Sequence, residues 1–471
     1  MIDLLIRVAP LQGDPSYLLV SVEAGSPLDG ARKPAQFHFD LNAHKLDTPD
    51  NVASYGRAVC EALAKHDVID FELSKLFASV GADEACSLKF QLAEAGGEEI
   101  RWESLCDKDA RYLSLAKKYR LARVATPLKE KDVSRVARLP LKMLAYLSAA
   151  GVSAADEFRT LCEQLVQARA NGLMIEAEIF VGEERILNEP AIVAGIDPGS
   201  LSHISVRPIP LADVLENQVR KGSYQFLHFF CHGVDRGAGL KGLSLATIQN
   251  HLSGEQSGGV LLSLQALTEA LAENQSAWIA VFNSCSGAAG TVYFNSLAYN
   301  VTNTGCPYAI GMAEPVEPGI AAIITKALYG ELFTTVIATL PNLPKDKFGT
   351  IDLSGVINPA RKAIKSYCEA IDPGGPYGRW LTPVIYINAP KPLPVQLQQA
   401  VTDALGDRRE IADQKMLERI NIIASALRVL PGDAPPEVRD QIFALLDKAP
   451  AVPIRLRPNK NGEFISNGAA S

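Results

Sequence analysis

Two apolar runs constrain the fold of this chain more than anything else in it. Tyr224–Gly233 reads YQFLHFFCHG and Ala277–Gly287 reads AWIAVFNSCSG. Each is a strand-like stretch rich in Phe, Val, Ile and Leu that stops at small residues. In a parallel α/β sheet, the carboxyl ends of the strands form the ligand crevice. One run ends in His232-Gly233 and the other in Cys285-Ser286-Gly287. Lying side by side, they would present an imidazole and a thiol at one edge, as a cysteine nucleophile and its base require.

The surrounding pattern supports such a sheet. From Leu139 the chain alternates: strand Leu139–Ala149, helix Ala154–Ala168, strand Met174–Phe180, a helix around Glu189, strand Ser202–Arg207 and helix Leu211–Lys221. The His-bearing strand Phe226–Cys231 follows, then helix Leu264–Ala272, the Cys-bearing strand Trp278–Asn283 and strand Tyr308–Met312. Helix Gly319–Thr335 and strand Val384–Ile387 close the series. Strands alternating with helices of this length predict a mostly parallel sheet covered on both faces, an α/β fold. Residues 1–45 read as β, 51–80 as helical, Ser87–Ala93 as a strand, Ile100–Leu105 as a turn or helix, and Tyr112–Val124 as a turn and strand. Beyond Pro390 the composition shifts. Lys391–Pro394 reads as a linker, followed by helices over 395–405, 411–429 and 435–448, the second with an apolar stripe from Ile411 to Leu427. The tail from about 459 reads as disordered. No internal repeat is present.

At 471 residues the chain is long enough for two or three units. A net charge of −7 argues against non-specific nucleic-acid binding. Even the apolar run VLLSLQALTEALA is interrupted by Gln265 and Glu269, so no membrane crossing is expected. No signal-peptide pattern opens the sequence. The eight cysteines, at 60, 86, 106, 162, 231, 285, 306 and 368, include no CxxC pair. Reduced thiols in the cytoplasm are the expectation.

A free thiol has a pKa of about 8.5, so a neighbouring His is needed to draw off its proton near neutrality. A glycine after the reactive residue lets backbone approach a substrate closely. The amides of Gly233 and Cys285 could then face a developing oxyanion, each such donor being worth roughly 3 kcal/mol of barrier.

In this order and spacing, LHFFCHG, AVFNSCSGA, YAIGMAEPVEPGIAAIITKALYGEL and RWLTPVIYI resemble the CHAT branch of the caspase–separase (clan CD) cysteine peptidases. Upstream, IRWESLCDKDARYLSLAKKYRLARV is similar to the segment that precedes the family's catalytic half. The resemblance implies a caspase-like peptidase domain over 91–390 with its catalytic half at about 139–390. A β/α region over 1–90 would precede it, and a helical extension over 391–458 would follow. It also implies His232 as general base and acid, Cys285 as nucleophile, and Gly233 and Cys285 as oxyanion donors. The implied activity is endopeptidase cleavage through an acyl-enzyme, without metal or organic cofactor. A protein substrate, an activating sensor or partner protein, and a place in bacterial antiviral defence or cell death are implied with it. The alternative is a catalytically inactive peptidase-fold scaffold that binds partner proteins.

The sequence departs from the family where basic substrates are selected. The position two before the nucleophile, often acidic in relatives, is Asn283, and the Trp common near Glu314 is absent. Asp235, Asn283, Glu314 and Glu317 remain the candidates for touching substrate. In HFFCH, His228 and His232 share a strand face while Cys231 points to the other, which argues against a metal site. Cys231 reads as core and Cys306 as a turn residue. The glycine-rich stretch 233–242 lacks the setting of a phosphate loop and reads as a mobile loop.

Overall fold

The computed structural model describes residues 3–11, 14–22, 35–37, 39, 46, 48–78, 85–92, 98–125, 133–235, 241–255, 257–283, 293–343, 348–371 and 377–398. Cys285 and the helical stretches read beyond 398 lie outside them.

Strands β1 (Asp3–Leu11), β2 (Asp14–Val22) and β3 (Ala35–Phe37) open the chain. Two helices follow, Pro49–Ala64 and Asp67–Ala78, the first capped by the Thr48 side chain, which accepts from the Asn51 amide. Strands β4 (Cys86–Leu92) and β5 (Tyr119–Ala125) complete the amino-terminal half. In the second half come β6 (Arg135–Arg138), β7 (Leu141–Leu147), β8 (Ile175–Val181), β9 (Ile204–Pro208) and β10 (Phe226–Phe230). Next are β11 (His232–Asp235), β12 (Lys241–Leu245), β13 (Val260–Ser263), β14 (Ile279–Asn283) and β15 (Tyr308–Met312). Strands β16 (Gly349–Ile351), β17 (Pro383–Ile387) and β18 (Leu393–Gln398) end the described chain.

Twelve strands form one sheet in the order β3-β2-β1-β4-β5-β17-β15-β14-β10-β7-β8-β9. Only the β1–β2, β2–β3 and β15–β17 pairs in it are antiparallel. The fold is therefore mixed α/β about a large, mostly parallel sheet, as the alternation predicts. Strands from residues 1–90 belong to the same sheet as β10 and β14, and residues 1–398 form one compact unit.

Alternation across each strand builds a core on either face. Phe226, Phe230, Ile279, Val281 and Ile310 face helices Ala155–Ala170 and Pro318–Thr339. Leu227, Phe229, Cys231, Ala280 and Phe282 face helices Ala212–Lys221, Leu264–Glu273 and Tyr293–Thr304. Helix Pro318–Thr339 is long and apolar enough to cross a bilayer. Ile320, Ile324, Leu328, Leu332 and Val336 are nevertheless buried along it, as in a core helix.

Two readings are corrected. Part of the stretch taken as a loop pairs instead: β11 runs antiparallel to β12, which pairs with β13. The residues taken as linker and helix start form β18, paired with β6 and β16, because Leu393 and Val395 alternate into the core at strand period.

Candidate active site

Strands β14 and β10 are parallel neighbours whose last register pair is Phe230 with Asn283. On its other side β10 pairs with β7, whose exit loop passes Ala149 and Ala150. His232 follows β10 at the carboxyl edge and starts β11. Its ring is buried, and Nε2 lies 2.7 Å from the Ala150 carbonyl. A carbonyl can only accept, so the neutral ring carries its proton on Nε2 and keeps its lone pair on Nδ1. Nδ1 has no hydrogen-bond partner among the described residues. A backbone contact thus sets both the ring's orientation and which nitrogen is basic.

Gly233 is buried in β11, with its backbone at the same edge. Asp235 ends that strand. Asn283 is buried with its amide turned inward. Its Nδ2 donates to Glu157 Oε1 at 3.0 Å, the Ala321 carbonyl at 3.1 Å and Thr325 Oγ1 at 3.1 Å. The side chain named for substrate contact is therefore spent inside the protein.

Glu314 and Glu317 follow β15, the next strand along the same edge, and line a cavity of about 320 Å³ with Val316, Ile320, Arg379 and Thr382. Neither carboxylate is unopposed: Arg101 lies 3.0 Å from Glu314 and Arg379 lies 3.0 Å from Glu317. Exposed pairs of this kind hold by only about 0.2–1 kcal/mol, so an incoming charge can displace them.

A polar cluster that no sequence motif announces lies beneath this edge. Glu157 sits on the buried face of helix Ala155–Ala170, among Phe158, Leu161 and Leu165. Its Oε1 also accepts from the Thr325 hydroxyl and lies 2.9 Å from His228 Nε2, off the line of a good hydrogen bond. His228 Nδ1 meets the Tyr329 hydroxyl at 3.0 Å. The signal in the sequence was a carboxylate on the apolar stripe of a core helix.

Five of the described thiols are poorly suited to nucleophilic work. Burial pushes Cys60, Cys162 and Cys306 up to about 12 and Cys106 up to about 11, and raises Cys231 further. Cys231 and Cys306 are fully buried, and Cys306 Sγ bonds the Tyr308 carbonyl at 3.2 Å.

A CHAT domain family model matches residues 94–340, more than half of the chain. Sheet and match together define a caspase-like cysteine-peptidase fold. The chain belongs to the CHAT-domain family. No curated protein matches it. Among solved structures, a chain of the Saccharomyces cerevisiae separase–securin complex is similar over 66% of this chain, at 13% identity and a TM-score of 0.31. The match spans 16% of that chain.

Proposed function

We propose that this protein is a cysteine endopeptidase in which His232 is the general base and Cys285 the nucleophile. The observation that carries the reading is His232 Nδ1, buried and without a partner among the described residues, on a ring whose Nε2 is held by the Ala150 carbonyl. Register supports it further. Phe230 pairs with Asn283, and His232 and Cys285 each stand two residues beyond that pair in sequence.

In the first half-reaction, Nδ1 takes the Cys285 proton and the thiolate attacks the scissile carbonyl carbon. The Gly233 and Cys285 amides face the resulting oxyanion. The imidazolium gives its proton to the leaving amine as the C–N bond breaks, leaving a thioester. Water, deprotonated by the same Nδ1, then releases the acid and restores the thiol. Glu314 and Glu317 contact the substrate side chain in the neighbouring cavity, and Asp235, at the end of β11, is a further candidate for substrate contact. Reduced thiols fit a cytoplasmic setting. The family resemblance supports a regulated role in bacterial defence or cell death, with a sensor or partner protein as activator.

Incubation of the full chain with host lysate supplies target and activator together, and mass spectrometry of new amino termini reads the result. Wild type is expected to generate discrete new termini, with Cys285→Ala and His232→Ala generating none. Cleavage retained by Cys285→Ala overturns the assignment.

A further inference from the structure

We propose that Glu157 is a positioning residue for the His232–Cys285 pair. The inference rests on the cysteine-peptidase reading and deepens it.

One buried carboxylate oxygen meets both of the strands that precede the reactive residues in sequence. Glu157 Oε1 accepts from Asn283 Nδ2 at 3.0 Å, and Asn283 is the last residue of β14, two before Cys285. The same oxygen lies 2.9 Å from His228 Nε2 on β10, four residues before His232. From the opposite helix, Thr325 bonds both Glu157 and Asn283, and Tyr329 bonds His228. Ala321, Thr325 and Tyr329 recur every fourth residue, so one stripe of helix Pro318–Thr339 supplies all three contacts. His228 and Tyr329 are the titratable groups that face Glu157 in this cluster.

The cluster is an expensive way to fill a core. Glu157 Oε2 and Asn283 Oδ1 have no hydrogen-bond partner among the described residues. A half-satisfied polar network is worse for stability than apolar side chains of the same volume. What it supplies, and leucines would not, is direction. Hydrogen bonds hold the Asn283 amide on β14 and the His228 ring on β10 in one orientation, whereas apolar contacts would leave such side chains free to turn. A displacement of about 1 Å at reacting atoms costs on the order of 100-fold in rate. Glu157 therefore acts through Asn283 and His228, with no contact to substrate.

The test is the rate of Cys285 alkylation by iodoacetamide between pH 5.5 and 9 in the full chain, read by mass spectrometry of the Cys285 peptide. Wild type, His232→Ala, Glu157→Gln and Thr325→Val are compared, with melting curves recorded for each. Wild type should react at pH values below the ordinary thiol range, and His232→Ala should lose that low-pH reactivity. Glu157→Gln should slow the neutral-pH rate by roughly 10–100-fold while still melting cooperatively. Thr325→Val should displace the profile in the same direction. If Glu157→Gln fails to fold, Thr325→Val decides: a displaced profile supports the proposal and a wild-type profile overturns it. Wild-type profiles in both network variants, beside a changed one in His232→Ala, overturn the positioning role alone. An unchanged His232→Ala profile overturns the peptidase reading, and the positioning role with it.

Discussion

Glu103 and Arg123 form a fully buried pair in the amino-terminal half. Arg123 Nη2 lies 2.8 Å from Glu103 Oε2 and its Nε 3.1 Å from Oε1, while the other donors reach the Glu98 and Ile100 carbonyls. Arg361 also approaches Glu103, at 3.9 Å, and bonds the Pro383 carbonyl. Burial works against ionisation of Glu103, but the charge and bonds of Arg123, with Arg361 behind it, outweigh burial and hold the carboxyl below its usual range. Removing one partner of such a pair leaves a buried charge uncompensated, so Arg123→Met should lose about 3–5 kcal/mol in urea unfolding. The sign with pH follows from the lowered carboxyl. The stabilisation is complete above the unfolded carboxylate range of about 4.3 and is lost as pH falls below it. Urea midpoints of wild type should therefore drop more steeply than those of Glu103→Gln from pH 5 to 3. Glu103 and Arg123 stand in the segment that resembles the family, but their sequence gives no hint of pairing. Twenty residues separate them, and only the fold lays β5 against Trp102–Ser104.

At the level of elements, helix Pro49–Ala64 is seated at Gly56 on that same Trp102–Ser104 segment. A Cβ at Gly56 would lie 2.0 Å from the Ser104 carbonyl oxygen and 2.9 Å from Cys106 Sγ. Backbone cannot yield that far locally, so Gly56→Ala should destabilise by about 1–3 kcal/mol, read as a lowered melting temperature. Elements with a strong internal period were legible: the strands around Phe226–Phe230, Ile279–Asn283 and Tyr308–Met312, and helix Ala155–Ala170, are written in their apolar runs. Elements that depend on a distant partner were not. His232–Asp235 is too short and glycine-rich to announce a strand, and its pairing comes from Lys241–Leu245 across the intervening residues. Leu393–Gln398 carries a proline at 394 that suggests a linker, yet it pairs with Arg135–Arg138, over 250 residues earlier.

Across the whole molecule, the two halves meet where β5 runs parallel to β17, in the register Arg123 with Tyr386 and Val124 with Ile387. The seam is braced by Arg120 with Asp352 at 2.6 Å and by the Asn358 amide on the Ala116 and Tyr119 carbonyls. Beyond it, β15, β14, β10 and β7 stand in that order, so the Glu314–Glu317 cavity, Asn283 at the end of β14, His232 and the Ala150 carbonyl share one edge. The order of the motifs along the chain was legible. The lateral order of the strands came only from the fold, because crossover helices permit neighbours in sequence to be separated in the sheet. The proposed activation of Cys285 by His232 is measured directly by labelling with a panel of peptidyl acyloxymethyl ketones in host lysate, the modified residue being located by tandem mass spectrometry. The predicted result is modification of Cys285 in wild type and its loss in His232→Ala; equal modification of Cys285 in both, or label spread over the other cysteines, would contradict it.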